Sequence, residues 1–260
     1  MSTFDIGVHQ TQTLYDEQGT TPMERVRTYL EGADDYVSHN LSVTTHTEYP
    51  RMYLSERSDS DYTYEQQRTR SATAYHPCMD FEITYDGIGF YFFDKLRCQG
   101  RFSYHDVHVL LTADTRGIGH TPIFDTDDEP IEDPKDDDTA NASICVCEAG
   151  NVTQAPDTFT RYTPTGGGSE AEGVGAIQTV HHELGHGLMH DTEGDHPDHN
   201  VGSVTKTGTD HYWTTPMGMN GDSGSICGTW DLSSYSVPGD RLYELVWSDC
   251  CVDRWDDQDL

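Results

Sequence analysis

Two histidines and a glutamate occur in the pattern His-Glu-x-x-His at residues 182–186. On a helix, side chains four residues apart lie on the same face, one turn from each other. His182 and His186 are therefore spaced to bind one zinc ion through their imidazole rings. Glu183 follows the first of these histidines, where its carboxylate can take a proton from a zinc-bound water. The pattern predicts a zinc site that activates water.

The residues around this pattern predict an amphipathic helix that begins near Ser169. The sequence Ser-Glu-Ala-Glu at 169–172 is typical of a capping box at a helix N-terminus. An exposed helix face that carries His and Glu by chance is the alternative. Apolar residues at steps of three and four favour the zinc site, because they predict one buried stripe: Val174, Ile177, Val180, Leu184 and Leu188. Histidines are also concentrated here, at His181, His182, His186, His190, His196 and His199.

The segment 180–191, Val-His-His-Glu-Leu-Gly-His-Gly-Leu-Met-His-Asp, resembles the active-site helix of the metzincin metallopeptidases. The likeness is greatest to the adamalysin and matrixin types, whose pattern HELGHxLGxxHD ends the helix at a glycine. This chain keeps a Gly-x-x-His spacing at Gly187 and His190, but Met189 and Thr192 stand where the family has Gly and His. The resemblance implies peptide-bond hydrolysis with zinc, and it places the third-ligand role on His190.

The third ligand depends on where the helix ends. On an unbroken helix, His182 and His190 would lie about 12 Å apart along the axis, too far to share one zinc. His190 can therefore serve only if the helix breaks at Gly187. If the helix continues to Gly194, the later residues become candidates: His196, His199, Asp191 and Asp195.

Two other zincin families imply different third ligands. Residues 208–212 faintly resemble the GTxD segment of the aspzincins, which implies Asp210 or His211. Glu244 stands where it could take the place of the third ligand of a gluzincin. All of these resemblances share His182, Glu183 and His186.

The metzincins also carry a methionine turn beneath the zinc. The segment 215–221, Thr-Pro-Met-Gly-Met-Asn-Gly, follows the zinc helix in the expected order. The resemblance implies that Met217 or Met219 supplies this hydrophobic floor. The alternative is a methionine that fills a gap in a loop rich in proline and glycine. Residues 240–247 are predicted to form a C-terminal helix, which the family also has.

Alternating strand and helix patterns precede the zinc helix and predict an α/β layer. Together with the resemblance, they predict an α/β (α+β) fold of the zincin-like class. In that fold a twisted mixed sheet lies above the zinc helix, with the substrate cleft beyond it. Residues 55–75 are predicted to be a surface excursion, and 81–93 a hairpin around Asp86-Gly87. The predicted strands are 4–9, 41–48, 106–112 (the central strand) and 143–147, and the predicted helix is 21–30.

We expect one domain over residues 1–260, in two parts. The N-terminal sheet subdomain covers 1–168, and 169–260 contains the zinc helix, the methionine turn and the C-terminal helix. Residues 125–138 hold nine acidic side chains. They predict a solvated loop or a calcium-binding loop, because hard cations prefer clustered carboxylates.

The chain carries 46 acidic and 15 basic residues, a formal net charge of -31. This balance excludes a binder of duplex nucleic acid, which needs a basic face, and anionic membranes would repel it. No apolar run reaches the roughly 18 residues of a membrane span. The composition resembles that of proteins from salt-in halophilic archaea, whose carboxylate surfaces stay hydrated in molar salt. The alternative is an acidic, partly disordered protein.

Seven cysteines are present, and two disulfides are conceivable. Cys78 is a candidate partner of Cys98, and Cys227 of Cys250 or Cys251. Disulfides imply an oxidising compartment, which favours an extracellular or cell-surface location. The N-terminus, however, shows no signal-peptide pattern.

The sequence therefore predicts a monomeric zinc metalloendopeptidase that acts on a peptide or protein substrate. Glu183 would serve as the general base and then as the proton donor to the leaving amine. The alternatives are a zinc-binding pseudo-peptidase without turnover and a halophilic surface or structural protein.

The acidic composition generates a prediction about salt. We expect the free energy of unfolding to increase from dilute buffer to molar KCl, because salt shortens the range of carboxylate repulsion to about 3 Å. Urea unfolding at several KCl concentrations measures it, and sucrose at equal osmolality is the control. A chain that is most stable without salt would contradict the halophile interpretation.

Overall fold

The structure is a computed structural model, and its strands and helices alternate along the chain. The described residues are 3–47, 72–85, 88–115, 119–121, 123–124, 142–163, 168–188, 204–207, 211–218 and 240–256. The strands are β1 (Thr3–Gln10), β2 (Asn40–Thr45), β3 (Ala72–Tyr75), β4 (Glu82–Tyr85), β5 (Val107–Thr112), β6 (Gly119–His120), β7 (Ile123–Phe124), β8 (Ala142–Glu148), β9 (Val204–Thr207), β10 (His211–Thr214) and β11 (Asp240–Tyr243). The helices are α1 (Gln12–Gln18), α2 (Thr21–Asp34), α3 (Ile88–Cys98), α4 (Ser169–Leu188) and α5 (Asp249–Asp256).

Four parallel strands form the centre of the main sheet, in the order β2-β1-β5-β8. β5 lies between β1 and β8, which confirms the central strand predicted at 106–112. The short strands β6 and β7 pair antiparallel with β8, so the sheet is mixed at this side. The strands predicted at 4–9, 41–48 and 143–147 are confirmed as β1, β2 and β8. The molecule is therefore an α/β protein.

Helices α2 and α4 pack on one face of this sheet. Successive strand side chains point to opposite faces, and Phe4, Ile6 and Val8 of β1 are fully buried in a core shared with both helices. The helix predicted at 21–30 is confirmed as the first part of α2. Helix α4 begins at the predicted Ser169. Its predicted apolar stripe is buried here in full: Val174, Ile177, Val180, Leu184 and Leu188.

Helix α3 packs on the opposite face, where it covers β5 and β8. Leu110 of β5 and Val146 of β8 point to this side and share a second core with the helix. The helix residues of this core recur at helical spacing: Ile88, Tyr91, Phe92 and Leu96. The main sheet therefore lies between two helical layers.

The hairpin predicted over 81–93 is wrong in its second half. Residues from Ile88 onward form α3, because their buried positions follow the helical period and meet the sheet. The first half is β4, which pairs antiparallel with β3 instead. The predicted surface excursion at 55–75 contains a strand at its end, where 72–75 form β3. Residues 55–71 and Asp86-Gly87 lie outside the described residues.

A disulfide joins Cys78 to Cys98, as the sequence predicted. It ties the turn of the β3–β4 hairpin to the C-terminal end of α3, so these elements form one covalently linked unit. Cys250 is also in a disulfide, whose partner lies outside the described residues. Among the described residues, three buried cysteines form no disulfide: Cys145, Cys147 and Cys251.

The helix predicted at 240–247 is wrong. Asp240–Tyr243 forms β11, which pairs in parallel with β10, while β9 pairs with the other side of β10. Leu245 and Trp247 then enter the core beside α4. The C-terminal helix begins two residues after Trp247, where the Ser248 hydroxyl accepts a hydrogen bond from the Cys251 backbone N–H as an N-cap.

Two further expectations from the sequence concern a membrane span and a calcium-binding loop. Across the described residues, no helix is long and apolar enough to cross a membrane. The acidic segment 125–138, with its calcium-loop alternative, lies outside the described residues.

Candidate metal centre

Helix α4 carries the His-Glu-x-x-His residues on the side that lies next to the antiparallel edge of the sheet. The apolar stripe fixes the rotation of this helix against β5 and β8, so the polar residues between stripe positions face outward from the core. His182 and Glu183 are nonetheless 8% and 7% exposed. These side chains are held in a nearly dry environment.

The imidazole rings of His182 and His186 face each other across one helical turn. Their Nε2 atoms lie 3.2 Å apart. Two nitrogens that bind one zinc tetrahedrally at about 2.0–2.1 Å lie about 3.3 Å from each other. The separation therefore suits a shared zinc ion, and it equally suits one shared proton between the rings.

The protonation of His182 follows from its other nitrogen. Nδ1 lies 2.7 Å from the backbone carbonyl oxygen of Pro216. Because a carbonyl oxygen only accepts hydrogen bonds, Nδ1 must carry the hydrogen in this contact. The neutral ring then has its lone pair on Nε2, directed at His186. Such a fixed tautomer is typical of histidines that bind metal.

The carboxyl group of Glu183 lies against the antiparallel edge of the sheet. The hydroxyl of Thr121 donates to Glu183 Oε2 over 2.8 Å. A Cβ atom added to Gly119 would overlap Cγ of Glu183 and lie 2.6 Å from Oε1. Burial raises the pKa of Glu183 to about 7, although the hydrogen bond from Thr121 opposes this. A carboxyl group with such a pKa can both take and give a proton near neutrality.

Two side chains of the sheet also reach the backbone of α4 at this point. The Thr121 hydroxyl lies 3.0 Å from the carbonyl oxygen of Glu183, and the Cys145 thiol lies 3.2 Å from the same oxygen. The single hydroxyl hydrogen of Thr121 serves one of three acceptors at a time, which are Glu183 Oε2, the Glu183 carbonyl oxygen and Cys145 Sγ. These contacts tie the backbone and the side chain of Glu183 to the same part of the sheet.

Met217 lies against the zinc helix from the other side. It is 1% exposed, and a Cβ atom added to Gly185 would lie 2.6 Å from its Sδ atom. Glycine is therefore required between the two zinc-spaced histidines for this close approach. Pro216, whose carbonyl accepts from His182, directly precedes Met217. Met219, the alternative floor residue, lies outside the described residues.

Trp247 fixes the same stretch of helix from the C-terminal segment. Its indole N–H donates to the carbonyl oxygen of His181 over 3.0 Å, and its ring stacks on the His181 ring at 4.8 Å. Burial lowers the pKa of His181 to about 3. The ring is therefore neutral at physiological pH and packs as part of the core.

The predicted third ligands fall at the limits of the described residues. His190, His196 and His199 lie outside them, and His211 is described only as the first residue of β10. Helix α4 remains helical through Gly187 and Leu188, one residue beyond the break that His190 needs.

Glu244, the third ligand that the gluzincin resemblance implies, is paired with Arg161. The Glu244 carboxylate accepts a hydrogen bond of 2.7 Å from Nε of Arg161. A carboxylate held in this ion pair is a poor candidate to reach the zinc helix.

The described segments contain no group of three or more His, Cys, Asp or Glu side chains arranged to hold a metal ion. They do contain a pair, His182 and His186, whose donor type, tautomer and spacing fit zinc. These two residues are the ones that would hold a zinc ion, and a tetrahedral site would need a further ligand.

Sequence reasoning missed the residues that hold Glu183. Thr121, Gly119 and Cys145 lie far from the motif in the chain. Gly119 belongs to the short strand β6, Thr121 follows that strand, and Cys145 belongs to the buried strand β8, none of which has a motif of its own. No sequence signal short of the tertiary fold marks them. The Pro216 carbonyl was missed for a different reason, since the prediction concerned the side chains of its loop.

Comparison with family models gives no match to this chain, and comparison with curated proteins gives no significant match. The assignment of the centre therefore depends on its geometry.

The contact between Gly119 and Glu183 generates a prediction. Gly119→Ala forces the edge strand or the carboxylate to move, and we expect it to lower the free energy of unfolding by about 1–3 kcal/mol. Gly175→Ala is the matched control in α4, where an added Cβ meets nothing within 4 Å. We expect this control to stabilise the protein by roughly 0.5–1 kcal/mol. Urea unfolding in molar salt measures both, and equal effects of the two changes would contradict the contact.

Proposed function

We propose that this chain is a zinc-dependent metallopeptidase with a zincin-like catalytic domain. The observation that carries the proposal is the pair of Nε2 atoms 3.2 Å apart, with a buried glutamate between the two histidines in sequence. The resemblance of residues 180–191 to metzincin active-site helices supports the same reading. So does the burial of Met217 against Gly185, which fits the role implied for the methionine turn.

His182 and His186 would hold the zinc through their Nε2 atoms, with a third ligand from outside the described residues. His190 is the candidate that the resemblance implies, although α4 continues past Gly187, where the resemblance requires a break. His196, His199 and His211 are the alternatives. When bound, zinc supplies a Lewis acid that polarises a carbonyl group and lowers the pKa of water.

Glu183 performs the proton transfers in this proposal. Its carboxylate accepts a proton from the attacking water as the new C–O bond forms at the scissile carbonyl. It then donates that proton to the nitrogen of the leaving amine as the C–N bond breaks. A pKa of about 7 suits both steps, because such a carboxyl group both accepts and donates a proton readily near neutral pH.

The edge of the main sheet supports a peptide as the substrate. In the described residues β6 is the last strand of the sheet, and it lies directly beside the Glu183 carboxyl group. An extended peptide can hydrogen bond to such an edge through its backbone. Its scissile bond would then lie near the proton-transferring carboxylate.

Glu183→Gln tests the catalytic role. We expect wild-type protein to bind one zinc per chain and to hydrolyse casein in molar salt. The variant should keep its zinc but lose at least about 100-fold in rate, because the amide cannot act as a base. Glu172→Gln, an exposed change on the same helix, is the control and should keep full activity. Elemental analysis and casein hydrolysis provide the two measurements.

The outcomes separate the competing functions. Wild-type protein without stoichiometric zinc would refute the metal site altogether. One zinc per chain with no hydrolysis across salt and pH would instead identify a zinc-binding pseudo-peptidase.

Thr121→Val tests how Glu183 is positioned. Loss of a hydrogen bond to a charged group costs about 1.5–3 kcal/mol, so we expect kcat to fall at least tenfold with little change in KM. Thr121→Ser should restore activity, because it keeps the hydroxyl. Thr179→Val is the control, since that hydroxyl bonds to the Gly175 carbonyl within α4. A kcat that is equal in Thr121→Val and wild type would contradict the positioning role.

A further inference from the structure

Four histidines form a cluster on the sheet face opposite the zinc helix. His9 is in β1 and His108 in β5, and both are almost fully buried. His46 follows β2, and His105 precedes β5. The His9 and His46 rings stack at 4.3 Å, while the His105 ring lies 4.9 Å from His46 and 5.2 Å from His108. We refer to these four residues as the histidine cluster.

Hydrogen bonds fix the protonation of the two buried members. His108 Nε2 lies 2.9 Å from the carbonyl oxygen of Phe102, so Nε2 carries the hydrogen. The neutral His108 ring then accepts at Nδ1, which lies 3.2 Å from Nε2 of His9. His9 must therefore donate from Nε2, and its Nδ1 atom is buried without a hydrogen-bond partner. The His9 and His108 rings therefore carry one hydrogen each.

His46 and His105 form a second hydrogen-bonded pair of rings. Nε2 of His46 and Nε2 of His105 lie 2.8 Å apart, so one hydrogen lies between them. A further proton on the buried pair would set two N–H groups against each other or place a cation at His9 Nδ1, which is buried without an acceptor. The geometry therefore keeps His9 and His108 neutral, whereas the half-buried His46 and His105 share one hydrogen between them.

The cluster also contacts the helical layer on this face. The Phe92 ring of α3 packs on His9 at 4.9 Å, and the Phe102 ring stacks on His108 at 6.0 Å. The Cys78–Cys98 disulfide ties the β3–β4 hairpin to the end of α3. Movement of α3 away from the sheet would therefore carry residues 72–98 as a linked unit.

We propose that the histidine cluster is an acid-sensitive latch, which holds α3 on the sheet when neutral and releases it when protonated. The zinc helix lies on the other face and packs in a separate core. Release is therefore a local event on the α3 face, not a loss of the whole fold.

The charged groups around the cluster act in both directions. Lys95 of α3 disfavours a charge on His9, and Arg101 disfavours one on His46. Asp5 of β1 and Asp106 favour a charge on His105, but burial outweighs them and lowers its pKa. Burial is also the main cause that lowers the pKa of His46 to about 4 and of His108 to about 3.

The direction of the pH effect follows from these values. A histidine has a pKa near 6.5 in the unfolded chain, and the cluster members have lower values when folded. Their contribution to stability is therefore complete above about pH 6.5 and is lost as the pH falls toward about 4. Acid favours the open form because there the rings can accept protons.

Hydrogen exchange with mass spectrometry tests the latch in the full chain, in molar salt with EDTA at every pH. Between pH 7.5 and 5, we expect protection of residues 88–98, corrected for intrinsic rates, to fall at least about tenfold. Protection of residues 169–188 should fall by a clearly smaller factor than that of residues 88–98, and return to pH 7.5 should restore residues 88–98. Unchanged protection of 88–98, or joint loss with 169–188, overturns the proposal.

His108→Gln provides the variant. Glutamine can donate to the Phe102 carbonyl but does not titrate, so the midpoint of α3 release should shift to lower pH. His39→Gln is the matched control, because His39 is a buried histidine that packs on Phe4 and Trp255 on the other face. An unshifted midpoint in His108→Gln, or an equal shift in the control, overturns the proposal. If His108→Gln does not fold, the exchange profile of the wild type decides alone.

Discussion

The structure depends on the burial of a carboxyl group between helix α4 and the edge of the sheet. Glu183 lies in an almost dry space, where an ionised carboxylate would be costly. The Thr121 hydroxyl offsets part of this cost by donating a hydrogen bond to the carboxylate. The absence of a side chain at Gly119 lets the edge strand approach the carboxyl group. The same packing that makes the group expensive also raises its pKa toward neutrality. The raised pKa of Glu183 and the close packing at this helix therefore have one cause.

That packing also determines how the histidines are oriented. The apolar stripe of α4 fixes its rotation, and the absence of a side chain at Gly185 lets Met217 reach the helix. The Pro216 carbonyl beside Met217 then sets the tautomer of His182. A shift of the helix by one residue would lose the stripe, the sulfur contact and the hydrogen bond together. The two halves of the chain thus meet at the motif, with the sheet on one side and residues 216–217 on the other.

Local patterns were sufficient for much of this architecture. Regular periods in β1, α2, β5 and α4 predicted the main sheet and the helix that carries the His-Glu-x-x-His residues, because one face of each is buried continuously. They failed at α3 and β11, where aromatic and aliphatic residues occur in short runs that fit both periods. Only the pairing with β10 and the packing on Leu110 decide these cases. The groups that hold Glu183 were beyond prediction for the same reason, since contacts across the fold create them.

Histidine count alone could not separate a metal centre from a packed cluster, although the chain has 14 histidines. The difference lies in where each ring places its hydrogen. At His182 a backbone carbonyl takes the Nδ1 hydrogen, so the lone pair at Nε2 faces a second imidazole across a gap that suits zinc. In the histidine cluster the rings bond to one another, and the buried lone pair of His9 faces no donor. The first arrangement leaves a lone pair that can accept a cation, whereas the second has no acceptor for a further proton on His9.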